Sequence, residues 1–249
     1  SLLEHPSTST TNSLHWQLLS SHTDGSEVSL LEHPTDPSCP YVRMTSVMPG
    51  TMQDVWDFLD LKNWETSMPK MDPFYEGLTV LGEYKHKGIE MKLARKTIKR
   101  LVTFGKRDFT FVSVSDNPAR GDGVWVSGTV SVVTDQIPRE KGYVRGYQDS
   151  IAFYEAMEDD DGNNKTGKPR MKLTIVFRLD MNDSRSGGNG GFVPMWIYIK
   201  TVGATGMASV QNMKRQLELI AEERQNSNKN EETCDSNWLA RIRNGTNKC

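Results

Sequence analysis

Chemistry in this chain would come from polar side chains that strand periodicity places among apolar ones. In the segment 89–97, Ile89, Met91, Leu93 and Arg95 share one face, because side chains in a strand repeat every second residue. That face would carry a guanidinium inward, and a charge taken out of water needs a partner. In 143–157, one face holds Val144, Gly146, Gln148, Ser150, Ala152 and Tyr154, while Arg145, Tyr147 and Asp149 hold the other. Small and polar residues on an inner face fill little volume. An inward Arg beside such a face describes a cavity with a few polar groups, the usual makeup of a small-molecule site. The alternative is that Arg95 snorkels out at the strand end and Gln148 bonds backbone. Catalysis would ask for more, namely a positioned acid, base or nucleophile. Between residues 41 and 223 the only His is His86, in the turn Lys85-His86-Lys87-Gly88, and no Ser or Cys sits in a nucleophile elbow. Glu83, Glu90 and Asp149 fall on faces assigned outward. A binding protein with no catalytic residue, metal or cofactor is expected.

The elements that must position these groups are mostly strands. Two short apolar segments around Asp24-Gly25 read as a hairpin, 41–48 as a third strand, and 74–86, 89–97, 108–114, 124–134, 143–157 and 171–179 as the rest. Thr51 caps a helix through Leu61, with Met52, Val55, Trp56 and Leu59 on one side. In 124–134, Val124, Val126, Gly128, Val130 and Val132 alternate with Trp125, Ser127, Thr129 and Ser131, so the even face is expected to be buried. In 171–179 the odd set Met171, Leu173, Ile175, Phe177 and Leu179 is apolar. The chain then enters a long amphipathic helix through Gly187-Gly188-Asn189-Gly190-Gly191 and Phe192-Val193-Pro194, Pro194 suiting the first turn. Trp196, Ile199, Gly203, Gly206, Val210, Met213, Leu217 and Ile220 recur at helical spacing and need a partner. Gly203 and Gly206 each cost about 1 kcal/mol relative to Ala, explained either by backbone approaching a ligand or by close helix–sheet packing. Strands followed by a helix define an α+β domain, a curved antiparallel sheet wrapped around the last helix.

Composition bounds the partners. The chain has 249 residues, a formal charge of −2 and 36% hydrophobic content, which offers no electrostatic footprint for nucleic acid. No run approaches the roughly 20 apolar residues of a spanning helix. Residues 1–13 and 224–249 are polar and are expected to be an unordered segment and a tail around a domain at 14–223. The start, Ser1-Leu2-Leu3-Glu4-His5-Pro6, carries no basic region followed by an apolar core, so a targeting signal is absent or removed and the chain is expected to be part of a longer one. Cys39, Cys234 and Cys249 match no metal or redox spacing, and a reducing, cytoplasmic setting is expected.

Four motifs in order carry a resemblance: Trp16-Gln17-Leu18-Leu19; Lys106-Arg107-Asp108-Phe109-Thr110-Phe111-Val112; Ile137-Pro138-Arg139-Glu140-Lys141-Gly142-Tyr143-Val144-Arg145; and Phe192-Val193-Pro194-Met195-Trp196-Ile197. They resemble the START lipid-transfer domains over roughly 14–223. The resemblance implies a helix-grip fold with an internal tunnel holding one lipid, a monomer, and transient contact with a membrane surface. The expected ligand wall joins Trp64, Met91, Leu93, Arg95, Val126, Gly128, Val130, Gly146, Gln148, Ser150 and Ala152 to Leu173, Ile175, Phe177, Trp196, Ile199, Gly203, Gly206, Val210 and Met213. It also implies a gate formed by the terminal helix and the 97–106 loop, where Ile98, Leu101, Val102 and Phe104 are interspersed with Lys96, Lys99, Arg100, Lys106 and Arg107, with Pro194 at the helix entry. Headgroup signatures do not carry over intact. Sterol-binding members place a carboxylate where this chain has Ile98, and phosphatidylcholine-binding members place an Arg before a Trp where this chain has Lys62-Asn63-Trp64. Gln148 aligns with a polar position of the latter, and Arg95 could meet a phosphate, which tips the expectation toward a phospholipid. A lipid-sensing module of a larger protein and a cyclase- or hydrolase-type helix-grip enzyme are the alternatives.

Overall fold

Residues 15–33, 39–87, 89–100, 105–115, 124–157, 169–181 and 195–243 are described by a computed structural model, the last segment with side chains over 196–224. The chain runs β1 (Gln17–Ser21), β2 (Glu27–Leu31), β3 (Tyr41–Pro49), α1 (Met52–Leu59), a 3-10 turn (Leu61–Asn63), α2 (Trp64–Met71), β4 (Tyr75–His86), β5 (Ile89–Ile98), β6 (Arg107–Ser115), β7 (Val124–Ser131), β8 (Val144–Ala156), β9 (Arg170–Asp180) and α3 (Met195–Arg243). The strands form one nine-stranded sheet in the order β1-β2-β3-β9-β8-β7-β6-β5-β4. All its ladders are antiparallel except a short parallel rung, Arg107–Phe109 against Val144–Gly146, where β6 and β8 meet. This curved, unclosed sheet with a C-terminal helix is the helix-grip architecture.

Local chemistry explains the joints. Gly25, at φ +80°, takes the left-handed conformation that the Asp24-Gly25 turn requires. Thr51 starts α1 through a reciprocal pair: its hydroxyl accepts from Asp54 N at 3.2 Å and Asp54 Oδ2 accepts from Thr51 N at 2.8 Å. Asp54 also pairs with Arg224 of α3, tying the two helices together. α3 runs on past residue 223 to Arg243.

α3 lies on the concave face and divides the core in two. Its first turns add Tyr198 and Val202 to a cluster with Val28, Val42, Ala94, Phe109 and Phe111. Farther along, Val210, Met213 and Leu217 join Met48, Val55, Phe58, Tyr154, Met171 and Leu173. Between these clusters the helix turns inward only Thr205, Gly206 and Ser209. Large residues at both ends and small ones in the middle leave a space that neither cluster closes.

Registers correct two sequence-based face assignments. Val130 and Val124 are 61% and 42% exposed, so the valine face of β7 points outward and Ser127 and Thr129 point inward. In β5 the inward set is Lys92, Ala94, Lys96 and Ile98, with Met91, Leu93 and Arg95 on the other face. Side-chain period in a strand is two, so reading either strand one residue off exchanges its entire faces. The even face of β8 and the odd face of β9 turn inward as expected, but Arg145 and Tyr147 on the opposite face of β8 are buried, not solvated.

Candidate functional site

The space between the core clusters is a cavity of about 320 Å³, bounded by the concave sheet, by α1, α2 and the turn joining them, and by α3. Its lining is sorted by strand. Continuous pairing sets Lys92, Ser113, Thr129, Ser150 and Phe177 in one row across β5, β6, β7, β8 and β9. The neighbouring row runs Ser115, Ser127, Ala152, Ile175 and Met44. Hydroxyls therefore pave the β6–β8 side, while Phe177, Ile175, Leu179 and Met44 make the β9–β3 side apolar. Neighbouring hydroxyls bond each other, Thr129 to Ser150 at 2.7 Å and Ser127 to the Tyr154 phenol at 3.1 Å. Burial pushes the Tyr154 phenol up to about 12, against the opposing effect of the Ser127 contact. Each hydroxyl both donates and accepts, so the stripe can meet carbonyl, ester or hydroxyl oxygens of a guest.

Two lysines border the same cavity. Lys92 Nζ lies 3.5 Å from Asp60 Oδ1. Lys96 is 9% exposed, its Nζ 5.9 Å from the centre of the Trp64 ring and 5.8 Å from that of Phe109. Burial lowers the Lys96 pKa, and the charge of Asp72, also on the wall, pulls the other way. Trp64 is fixed by its indole N–H, which donates to Leu59 O at 2.7 Å.

Of the sequence-based site residues, the structure brings Trp64, Gly128, Gln148, Ser150, Ala152, Ile175, Phe177 and Gly206 to the cavity. Ile98 is there too, buried at the end of β5. The others lie elsewhere. Arg95 donates to Glu140 Oε2 at 3.0 Å and Pro138 O at 2.7 Å, away from the cavity. Met91, Leu93, Val126 and Val130 share its side of the sheet. Gly146 serves packing, since a Cβ there would stand 2.4 Å from Phe109 Cε1. Leu173, Val210 and Met213 belong to the second core cluster. Trp196 is 69% exposed, and Ile199 and Gly203 face Leu19 of β1 across a shallow groove, because the β1–β2 hairpin also packs on α3 and widens its apolar band beyond one face. Lys106 binds Glu76 at 2.6 Å, and Arg107 is buried with Nε donating to Met181 O at 2.8 Å, so neither is a free basic tip. Leu101, Val102, Phe104 and Pro194 lie outside the described residues. The sequence pattern put Lys96 among the gate cations rather than on the cavity wall, and Lys92, Ser113, Ser115 and the α3 residues Tyr198, Thr205 and Ser209 were missed. Alternation of Lys92, Ala94 and Lys96 with Met91, Leu93 and Arg95 was the available signal in β5, and it reads as an outward charged face.

The most distinctive motif residues form a structural pair. Asp108 and Arg145 stand side by side on the parallel rung, with Arg145 Nε to Asp108 Oδ1 at 3.1 Å and Nη2 to Oδ2 at 3.0 Å. Arg145 Nη2 also donates to Ile137 O at 3.2 Å, and Asp108 Oδ2 accepts Glu140 N at 2.9 Å, anchoring the 137–140 segment over the pair.

A sheet gripping a C-terminal helix around a cavity defines the class as a START-like fold, and solved structures share it. Human StAR-related lipid transfer protein 5 aligns over 85% of this chain and 90% of its own, with a TM-score of 0.66 and 16% identity. Human STARD10 aligns over 85% of this chain and 76% of its own, TM-score 0.62, 14% identity. The lipid transfer and protein localization domain of human StarD13 (DLC2) aligns over 82% of this chain and 89% of its own, TM-score 0.60, 16% identity. No protein-family model matches the sequence, and no curated protein matches it. Among the described residues, no helix is long and apolar enough to cross a membrane.

Proposed function

We propose that this protein is a non-enzymatic carrier that holds one amphipathic lipid in its cavity and moves it between membranes. The observation that carries the reading is the amphipathic lining, in which lysines and hydroxyls of β5–β8 share an otherwise apolar wall with Trp64, Phe109 and the Phe177, Ile175, Leu179 and Met44 side. A lipid leaving a bilayer must expose its apolar surface to water at about 25 cal/mol per Å². A cavity wall of Met44, Ile175, Phe177 and Leu179 substitutes for lipid neighbours and lowers that penalty. Two of the structural relatives carry lipid transfer in their names, and the likeness in fold supports the same task here.

A phospholipid is favoured over a sterol, though not through Arg95, which faces Glu140. Lys96 and Gln148 on the wall suit phosphate or ester oxygens better than a single sterol hydroxyl. Entry is proposed at α3 and the 97–106 segment, with α3 easing from the sheet while the protein rests on a bilayer in the cytoplasm. Native mass spectrometry of protein purified from a lipid-containing host, followed by transfer of fluorescent phospholipid and sterol between vesicles, tests the proposal. One lipid per chain with phospholipid transfer is expected. An empty chain that takes up neither probe overturns the carrier reading.

A further inference from the structure

We infer that the headgroup end of the ligand carries an ionised acidic oxygen, a carboxylate or a phosphate, seated on the Lys96 ammonium between Trp64 and Phe109. The inference rests on the carrier reading and sharpens it to an acidic amphiphile. The cavity wall carries two lysines and two aspartates, but only one of the two pairs is in contact. Lys92 has its counter-ion in Asp60 at 3.5 Å. Lys96, more than nine-tenths buried, has no carboxylate within 4 Å among the described residues, and Asp72 acts on it only at longer range. Asp72 Oδ1 accepts Phe74 N at 2.9 Å, which holds that carboxylate against its own turn while its charge reaches Lys96 from a distance.

Among the described residues the Lys96 ammonium is approached by two ring faces and makes no hydrogen bond or ion pair, so its N–H donors can form charge-assisted bonds to an anionic oxygen in the cavity. The rings hold the cation in place without neutralising it. The position suits a headgroup. Lys96 lies two residues from Ile98 in β5 and directly opposite Phe109 on the neighbouring strand, while the apolar Ile175–Met44 side lies farther along the sheet. A chain extending from Lys96 along the hydroxyl stripe would keep its ester or hydroxyl oxygens on Ser113, Thr129 and Ser150 and its hydrocarbon on β9 and β3.

The test uses the full chain with oleate, oleyl alcohol and oleoyl lysophosphatidate as probes, read by calorimetry. The native protein should bind the two acids at least about tenfold more tightly than the alcohol, the scale of a hydrogen bond to a charged group. Lys96→Met should abolish that preference while retaining alcohol binding, and Lys96→Arg should restore part of it. A preference for oleate over lysophosphatidate identifies the acid as a carboxylate, and the reverse identifies a phosphate. Equal native affinity for oleate and oleyl alcohol overturns the inference whether or not the variants fold, as does a Lys96→Met chain that keeps the preference. Failure of the native chain to bind any of the three would instead sink the carrier reading on which it rests.

Discussion

Replacing Arg145 by Met isolates what the Arg107-Asp108-Phe109 and Gly142-Tyr143-Val144-Arg145 motifs do. In the native chain Asp108 is fully buried, holding Arg145 through two bonds of 3.0–3.1 Å and Glu140 N at 2.9 Å. Arg145→Met leaves that carboxylate buried with one backbone donor. Breaking a buried pair this way costs about 3–5 kcal/mol, because the remaining charge keeps its desolvation penalty and loses its partner. At roughly 2–4 °C per kcal/mol for a domain of this size, the melting temperature should fall by roughly 6–20 °C. Adding Asp108→Leu to Arg145→Met should recover part of the loss by removing the stranded charge, although the 137–140 segment still loses its anchor. Thermal melts of the four chains complete the cycle, and lipid loading below the melting point should match the native protein. A fall of less than about 2 °C, or losses that simply add, would refute the assignment of this pair to structure.

The Gly146→Ala variant should lose about 1–3 kcal/mol in urea unfolding because its Cβ would stand 2.4 Å from the buried Phe109 ring, and Phe109→Leu in the same chain should relieve part of this. Unchanged stability there would mean the ring has room to move. Gly203→Ala should instead stabilise by up to about 1 kcal/mol, since the nearest foreign atom to its Cβ is Leu19 Cβ at 3.8 Å; unaltered lipid loading would agree with its place outside the cavity, and lost loading would contradict it. Asp24 ties the β1–β2 turn to α3. Burial alone would raise its pKa, but Lys214 at 2.6 Å, Ser26 N at 2.9 Å and Gln211 at 3.0 Å hold it far below the usual carboxylate range. With the folded pKa depressed, this stabilisation is complete above the unfolded value of about 3.9 and fades as pH falls below it. The urea-midpoint gap between the native chain and Asp24→Asn should therefore narrow from about pH 5 to about pH 3, and a constant gap would rule the linkage out.

Much of the architecture was legible in the residue pattern. All nine strands, the Thr51 cap and the long last helix follow from alternation, turn residues and helical spacing. α2 was not legible, because Glu65-Thr66-Ser67-Met68-Pro69-Lys70 offers no clear apolar repeat and its proline reads as a break. It is held by neighbours, through the Trp64 indole on Leu59 O and Glu65 Oε1 accepting from the Tyr75 hydroxyl at 3.1 Å. The candidate site was half legible. Ile175 and Phe177 came from a strand whose apolar face is unambiguous, and Ser150 and Ala152 from one whose face of small residues marks a space. Val-Ser alternation in β7 and Lys-Leu alternation in β5 led the other way, because hydrophobic-inward is the wrong rule for a sheet whose concave face borders a partly polar cavity.

By itself, then, the sequence determined the element order, the α+β class and the need for a partner to the last helix, since each depends on periodicities of two and 3.6 that the chain carries locally. Only the tertiary structure decided which faces meet. The row Lys92, Ser113, Thr129, Ser150 gathers residues from four strands through registers that no single strand encodes. Arg95 and Lys96 are adjacent in sequence, and whether a guanidinium or an ammonium enters the cavity turned on a shift of one residue.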